Sequence, residues 1–189
     1  MGFSSFERLI NKDYMKIFIP IFIVCIFSSC QYLGKRKSCY NATPEDLRVM
    51  HHIIERSNPD TVKKYTNYFI KKLELPVSAE DIPDGEYYGE TPYDDYQYKH
   101  VVRLKIENGK FTEVEYDEIK MDRQSKKYDV DYCKKMNTNF KGSAPNISYS
   151  NYEKQLLENQ NLNDLDAVTG ATYSLYRFKL AVIYALKEE

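Results

Sequence analysis

The sequence is poor in the features that assign many proteins to a class directly. It has no tryptophan, only seven glycines and seven prolines, and a formal net charge of -1 over 189 residues. A charge this close to zero argues against the strongly basic composition of nucleic-acid-binding domains, so no nucleic-acid partner is expected. Hydrophobic residues make up 42% of the chain, including 18 tyrosines and nine phenylalanines. That content is enough for the core of one domain of ordinary size with extensions.

The four cysteines lack the close spacing of a metal or redox motif. They stand at positions 25, 30, 39 and 133, so no C-x-x-C or C-x-x-C-H pattern occurs. This argues against a zinc ribbon, a thioredoxin-like dithiol and a c-type haem attachment site. In an exported protein Cys39 and Cys133 would either pair or stay free, and the sequence does not decide between these outcomes.

No hydrophobic run in the chain is long enough to cross a membrane as a helix. The run from Ile17 to Phe27 has 11 uncharged residues and would span about 16 Å, well short of a bilayer core. Because Arg8, Lys12 and Lys16 precede it, the run is typical of a secretory signal.

The segment Phe27-Ser28-Ser29-Cys30 resembles a relaxed bacterial lipobox. The resemblance implies a lipoprotein-type signal peptide over residues 1–29 and a lipidated Cys30 as the mature N-terminus. The mature protein would be anchored to the lipid bilayer in the cell envelope, on the extracytoplasmic face of a bacterial membrane. An ordinary exported protein cut nearby and an uncleaved anchor are the alternatives, and translation could start at Met15 instead of Met1.

Residues 30–83 are interpreted as a tether followed by a helical extension. Thr43-Pro44-Glu45-Asp46 predicts a helix that begins with Thr43 as its cap and runs to about Arg56. Asn58-Pro59-Asp60 then breaks the chain before a second helix, predicted over Thr61–Leu73.

His51 and His52 stand next to each other in the first predicted helix. Adjacent residues on a helix diverge by about 100°, so these two side chains do not chelate one ion together. They are therefore interpreted as polar surface residues, and no metal site is predicted.

A predicted linker over Pro76–Pro83 leads into the alternating pattern of a sheet. Val102, Leu104 and Ile106 alternate with charged residues, which is the period of a half-buried strand. Asn108-Gly109 then predicts a two-residue hairpin turn. The remaining predicted elements are a return strand through Thr112, Val114 and Tyr116 and helices over Asp129–Met136 and Tyr149–Gln160.

The stretch Asp166-Ala167-Val168-Thr169-Gly170-Ala171-Thr172 leads directly into a last helix, predicted over Tyr173–Lys187. Gly170 and Ala171 are the smallest residue types, so the backbone there can lie against a bulky group. Thr172 places a hydroxyl where the helix begins, beside free N–H groups and a partial positive charge. A phosphate on Thr172 would therefore be stabilised without any Lys or Arg. The residues alone also allow a plain helix cap, in which Thr172 satisfies the first N–H groups.

Asp166-x-x-Thr169-Gly170-Ala171-Thr172 resembles the flavinylation motif of the bacterial FMN-binding domain family. The resemblance covers roughly Asp84 to Glu189. Asp84-Gly85-Glu86-Tyr87-Tyr88-Gly89 is similar to the family's opening strand, and Val101–Glu118 is similar to its hairpin. The middle of the repeat found in flavinylated surface lipoproteins is similar to Tyr116-Asp117-Glu118, followed by Lys126-Lys127, Asp131-Tyr132 and Met136. The fold it implies is of the α+β class: a small antiparallel sheet with packed helices over residues 84–189.

In that family a dedicated flavin transferase, which uses FAD, esterifies the last Thr of the motif through the FMN phosphate. The resemblance therefore implies covalent FMN on Thr172, with Asp166, Thr169, Gly170 and Ala171 as the other residues of the site. Further candidates for contact with the flavin, from the family's early strands, are Tyr87, Tyr88, Gly89 and His100. Ordinary sheet packing is the alternative for the two tyrosines, and a surface position is the alternative for His100.

The resemblance implies electron transport by a lipid-anchored carrier. It favours this function over catalysis by a self-standing enzyme. The carrier would receive electrons from a membrane dehydrogenase or the quinone pool and pass them to an external acceptor. The alternatives are an FMN-dependent reductase of a small extracytoplasmic substrate and a non-flavinylated binding module of the same fold. No acid–base pair stands beside the motif, which favours the carrier, and no catalytic residue is predicted.

Overall fold

The computed structural model describes residues 42–72, 75 and 77–186. This part of the chain begins with two capped helices. Helix α1 spans Pro44–Arg56, and helix α2 spans Pro59–Lys72. The predicted start of α1 is confirmed: the Thr43 hydroxyl accepts the Asp46 N–H, and the Asp46 carboxylate accepts the Thr43 N–H. This reciprocal cap satisfies two N–H groups that the helix itself cannot bond.

Helix α2 begins two residues earlier than predicted. The Asn58 side chain accepts the Thr61 N–H at 2.9 Å, so it caps a helix whose first residue is Pro59. Proline is tolerated there because its missing N–H would have had no partner within the helix. The Asn-Pro-Asp segment therefore starts the second helix rather than preceding it.

Three antiparallel strands in the order β1-β2-β3 form the sheet. They span Gly85–Glu90, Tyr98–Glu107 and Lys110–Lys120. The predicted hairpin is confirmed, since Asn108 and Gly109 take positive φ angles of 54° and 68°, as primed two-residue turns require. The Asp84 carboxylate accepts both turn N–H groups, at 2.8 and 3.1 Å, which ties the turn to the start of β1.

A bulge in the β2–β3 pair changes which residues of β3 face the core. Ile106 pairs with Phe111 instead of Thr112, so Phe111 is buried while Thr112 is exposed. The prediction that Thr112 shares an inward face with Val114 and Tyr116 is therefore wrong. The extra residue shifts the alternation by one position at this end of the strand.

Three further helices follow the sheet. They are α3 over Val130–Asn139, α4 over Pro145–Asn159 and α5 over Thr172–Leu186. The short helix predicted after the sheet is confirmed, and the Asp129 side chain caps it by accepting the Tyr132 N–H at 2.9 Å. Helix α4 begins four residues before its predicted start, because Pro145 occupies its first position instead of ending a loop.

The helices pack on one another and on one face of the sheet, which confirms the predicted α+β class. Helix α5 packs on β1 and β2, α4 packs on β3, and α1 and α2 pack on α5. The described residues belong to one compact unit, and the N-terminal helices share its core with the sheet. The largest fully buried side chains include Leu47, Met50, Ile54, Ile106, Tyr116, Tyr149, Tyr152, Leu156, Phe178 and Leu180.

The segment predicted as a linker is docked on this core. Residues Ala79–Asp81 form a 3-10 turn, and Ala79 has no exposed surface. The Ala79 N–H donates to the carbonyl oxygen of Gln160 at 3.2 Å. The linker interpretation is therefore wrong for these residues, because an alanine that fills a core position fixes the chain there.

The anchoring features predicted from the sequence fall at the N-terminus. The signal peptide, Cys30 and Cys39 lie outside the described residues. Within residues 42–72, 75 and 77–186, no helix combines the length and the apolar composition needed to cross a bilayer. Cys133 is buried with a free thiol.

Candidate functional site

The flavinylation-like motif folds as a tight turn that runs into α5. The Ala171 N–H donates to the carbonyl oxygen of Val168 at 2.9 Å, and Gly170 sits between them with φ +81°. A side chain at Gly170 would be strained at this φ, and its Cβ would come within 2.8 Å of the Phe140 Cβ. Thr169 and Gly170 are both exposed. The motif therefore needs glycine both for its backbone angle and for the approach of Phe140.

Two side chains of α4 hold the motif in place. The buried Tyr152 hydroxyl donates to the carbonyl oxygen of Ala171 at 2.8 Å and accepts the Val168 N–H at 3.3 Å. The Gln155 amide bonds both backbone groups of Asp166, at 2.7 and 3.1 Å. Burial raises the pKa of Tyr152 to about 12, so its hydroxyl keeps its proton at physiological pH. The position of the motif is thus fixed from both ends.

Replacing Tyr152 with phenylalanine is expected to lower the free energy of unfolding by about 1–3 kcal/mol, because two backbone groups lose their partner. Urea unfolding monitored by circular dichroism measures the change. Tyr128→Phe is the matched control, since Tyr128 is 71% exposed and should lose less than about 0.5 kcal/mol. Equal effects for the two variants would show that the Tyr152 hydroxyl does not brace the motif.

Thr172 is the first residue of α5 and is partly exposed. Ala171 stands at the cap position, where its carbonyl oxygen accepts the Leu175 N–H at 3.3 Å, and alanine has no side-chain acceptor. In the described part of the chain no acceptor bonds the N–H groups of Thr172, Tyr173 or Ser174. The alternative that Thr172 merely caps the helix is therefore wrong, and the N–H groups of the first turn remain available to a ligand.

Asp166 presents an exposed carboxylate at the start of the motif. Its charge acts on Lys179, a residue of α5 that is 4% exposed. Burial lowers the pKa of the Lys179 amine to about 8, although the charges of Asp164 and Asp166 act in the opposite direction. The carboxylates of Asp164 and Asp166 thus help the buried Lys179 amine to retain its proton.

A second concentration of polar groups lies inside the molecule and is called the buried polar cluster here. It consists of Glu55 on α1, His100 on β2, Glu118 on β3, Lys126 after β3 and Arg177 on α5. Arg177 donates to both Glu55 carboxylate oxygens at 2.8 Å. The Lys126 Nζ lies 2.5 Å from Glu118 Oε2. Ion pairs therefore join α1, β3 and α5, because Arg177 Nη1 also lies 3.9 Å from Glu118 Oε2.

The charges in the buried polar cluster depend on one another. Burial would raise the pKa of Glu118, but Lys126, His100 and Arg177 lower it to about 2. Burial lowers the pKa of His100 to about 3, against the opposing charge of Glu118. At neutral pH the cluster therefore holds ionised Glu118 and a neutral imidazole.

The structure corrects the interpretation of two histidines. His100 has no exposed surface, so the surface alternative for it is wrong. His51 lies beside it, with ring centroids 6.2 Å apart, and the His51 Nε2 atom is buried. His51 is half-buried, so the surface interpretation holds for it only in part, while His52 is exposed. The alternation along β2 could have predicted the burial of His100, because it places His100 on the same face as Val102.

The other early-strand candidates have packing roles in this structure. Gly89 lies against the backbone of α5. The Tyr87 hydroxyl donates to the carbonyl oxygen of Pro83 at 2.6 Å. Tyr88 lies on the outer face of the sheet, with its hydroxyl bonded to Glu90. The structure thus groups Asp166, Thr169, Gly170, Ala171 and Thr172 in one turn and leaves these three on β1.

Comparison with known proteins places the chain among bacterial lipoproteins. No protein-family model matches it. The 15 kDa lipoprotein of Treponema pallidum (strain Nichols) is 30% identical to it over 103 residues, which are 54% of this chain and 72% of the lipoprotein. The chain belongs to the family of this 15 kDa lipoprotein.

A solved structure shows the same fold as this member of the 15 kDa lipoprotein family. It is the CPE2226 protein of Clostridium perfringens, which is 37% identical to the chain and superposes with a TM-score of 0.50. The similarity covers 55% of this chain and 86% of the clostridial protein. The fold assignment therefore agrees with a solved relative.

Proposed function

We propose that the chain is a lipid-anchored extracytoplasmic flavoprotein that carries electrons through FMN attached to Thr172 by a phosphoester. The resemblance of Asp166–Thr172 to the flavinylation motif motivates the proposal. The observation that carries it is the position of Thr172: a partly exposed hydroxyl on the first residue of an uncapped helix. The first-turn N–H groups and the helix dipole would stabilise a phosphate at that hydroxyl.

The motif has the rigidity that a covalent attachment site requires. Tyr152 and Gln155 fix its backbone, and Gly170 sets its turn. A flavin transferase would therefore meet the Thr172 hydroxyl in a defined position. Transfer would form a bond from the Thr172 Oγ to the phosphorus of the FMN half of FAD. The pyrophosphate bond would break, AMP would leave, and the hydroxyl proton would be released.

Activation of the hydroxyl is assigned to the transferase. An aliphatic hydroxyl is a weak nucleophile without a nearby base, and among the described residues no side chain hydrogen-bonds the Thr172 hydroxyl. The lack of an acid–base pair there favours a carrier over an FMN-dependent reductase, because a reductase needs proton donors that face its substrate. When bound, FMN supplies the exchange of electrons in pairs or singly.

Two aromatic side chains close to the motif are our candidates for contact with a flavin on Thr172. Phe140 lies against Gly170 and is 54% exposed. Tyr173 follows Thr172 and is partly exposed, with its hydroxyl donating to the carbonyl oxygen of Ser57 at 3.0 Å. We favour these two rings over Tyr87 and Tyr88 on β1 as the surfaces on which the flavin stacks.

The lipoprotein relative supports the location. Because the 15 kDa lipoprotein is similar to this chain and Phe27-Ser28-Ser29-Cys30 resembles a lipobox, we assign Cys30 as the lipidated residue. A lipid anchor would hold the flavin near a membrane dehydrogenase or the quinone pool, its electron donor, while leaving it accessible to an external acceptor. Covalent attachment prevents loss of the flavin outside the cytoplasm.

Coexpression with a flavin transferase tests the attachment. We expect the intact protein to gain the mass of one FMN less one water, and we expect the Thr172→Ala variant to gain none. Ser174→Ala is the matched control, because it removes a partly exposed hydroxyl from the same helical turn and should leave the gain unchanged. A mass gain that survives Thr172→Ala would contradict the assignment.

A further inference from the structure

Three potential metal ligands from two elements meet inside the molecule. His51 and Glu55 are four residues apart on α1 and so lie on the same face of the helix. His100 on β2 faces them. One donor atom from each residue lies within 4.8 Å of the other two. This is a combination of ligand types that binds divalent transition metals in proteins.

The imidazole of His100 lacks a hydrogen-bond partner among the described residues. Its side chain is fully buried, and neither ring nitrogen makes a hydrogen bond there. The Nε2 atom lies 3.8 Å from Glu55 Oε1, and the Nδ1 atom lies 3.9 Å from Glu118 Oε1. Both distances are too long for hydrogen bonds. Since buried polar atoms are almost always satisfied, a group that bridges them is expected.

Two other buried polar atoms also lack a hydrogen-bond partner among the described residues. They are the Nε2 atom of His51 and the Oδ2 atom of Asp94. Asp94 is 7% exposed, and its charge influences the pKa of His51. With the two ring nitrogens of His100, four buried atoms on His51, Asp94 and His100 thus lack hydrogen bonds in the described part of the chain.

We propose that His51 Nε2, His100 Nε2 and Glu55 Oε1 together bind one divalent transition-metal ion, such as Zn²⁺. Two ligands of a tetrahedral zinc ion lie about 3.4 Å apart, and the donor atoms here lie within 4.8 Å of one another. Side-chain adjustments therefore bring them to binding distance. Asp94 Oδ2 is the candidate for a fourth ligand, with water as the alternative.

The surroundings match those of protein metal sites. A metal-bound histidine usually has a carboxylate beside its other ring nitrogen, and metal-bound carboxylates accept further hydrogen bonds. Glu118 stands beside the Nδ1 atom of His100, and Arg177 donates to both oxygens of Glu55.

The net charge of the site with a bound ion depends on Asp94. Glu55 and Glu118 face Arg177 and Lys126, so these four charges cancel. A dication would then add two positive charges to a group of side chains that is neutral without it. An ionised Asp94 would reduce that excess from two charges to one.

Zinc titration of the full chain after EDTA treatment and dialysis, without an affinity tag, tests this proposal. Calorimetry is expected to show one ion per chain, and thermal unfolding should move to higher temperature with added ZnCl₂. His51→Asn should weaken binding by at least about 100-fold, because it removes a ligand. His52→Asn is the matched control: His52 is exposed on the same helix, and its loss should leave the affinity unchanged.

The metal-free melting temperature of each variant shows whether it folds, and Co²⁺ absorption bands in the visible range report nitrogen and oxygen ligands directly. His51→Asn keeps His100 and the ion pairs, so it tests the site even if a His100 variant does not fold. Failure of the folded, EDTA-treated protein to bind Zn²⁺ or Co²⁺ would overturn the proposal. So would equal affinity in the native protein and His51→Asn. Neither outcome depends on whether Thr172 carries a flavin.

Discussion

Replacing Gly89 with alanine is expected to destabilise the fold by about 3 kcal/mol or more, because overpacking against fixed backbone is among the costliest core changes. A Cβ at this position would lie 2.2 Å from the Ala185 backbone nitrogen and 2.7 Å from the Ala181 carbonyl oxygen. These are backbone atoms of α5, so no rotamer change relieves the clash. The helix would have to move away from β1.

Gly85→Ala is the matched control for this prediction, because it makes the same change on the same strand. A Cβ there would make only ordinary contacts, 3.6 Å or more from the Tyr87 ring, and should change stability by less than about 0.5 kcal/mol. Urea unfolding of both variants measures the difference. A Gly89→Ala variant as stable as Gly85→Ala would mean that α5 does not pack this closely on β1.

The second large effect is expected from Glu118→Gln, which should lower the free energy of unfolding by about 3 kcal/mol at pH 7. Glu118 has no exposed surface and pairs with Lys126, with Arg177 nearby. Glutamine keeps the shape of the side chain but leaves both cations without their counter-charge. The loss is large because neither cation can recover full hydration inside the protein.

The pH dependence separates this electrostatic effect from a packing effect. The pKa of Glu118 is lowered from 4.5 to about 2 in the folded protein, so the unfolded chain takes up its proton first as the pH falls. The advantage of the native protein over Glu118→Gln should therefore be full above pH 4.5 and disappear towards pH 2. Denaturant unfolding between pH 7 and pH 3 measures it, and a difference that stays constant with pH would contradict the ion-pair account.

Exposed Glu115 on the same strand provides the control for Glu118. Its carboxylate lies 3.9 Å from Arg103, and both side chains are largely exposed. Exposed pairs contribute about 0–1 kcal/mol, so Glu115→Gln should change stability little at any pH. A loss as large as that of Glu118→Gln would show that burial is not what makes the inner pair important.

Local rules were enough to predict much of the fold from the sequence. The Thr43–Asp46 cap, the Asn108-Gly109 turn and the helix after Asp129 each depend on residues close in the chain, and each is confirmed. The errors arose where the local sequence is compatible with two different local structures. Pro145 lies before the helix predicted from Tyr149 but begins α4, and the bulge opposite Ile106 exchanges Phe111 for Thr112.

The buried polar cluster could be predicted only in part. Alternation along β2 and β3 places His100 with Val102 and Glu118 with Tyr116 on the inner face, so the burial of both side chains follows from the pattern. The position of α1 beside His100 does not follow from it, because helix packing depends on contacts between residues far apart in the chain. The contact between His51 and His100 was therefore not predicted, and because His51 is half-buried its interpretation as a surface residue holds only in part.

The most direct test of the central proposal is to locate the flavin within the chain. The protein made with an active flavin transferase is denatured and digested with trypsin, and the yellow peptide is sequenced by mass spectrometry. We expect the peptide Gln155–Arg177, with one FMN as a phosphoester on Thr172 and none on Thr169 or Ser174. Unmodified Gln155–Arg177 from a preparation in which the transferase modifies a known substrate would contradict the electron-carrier proposal.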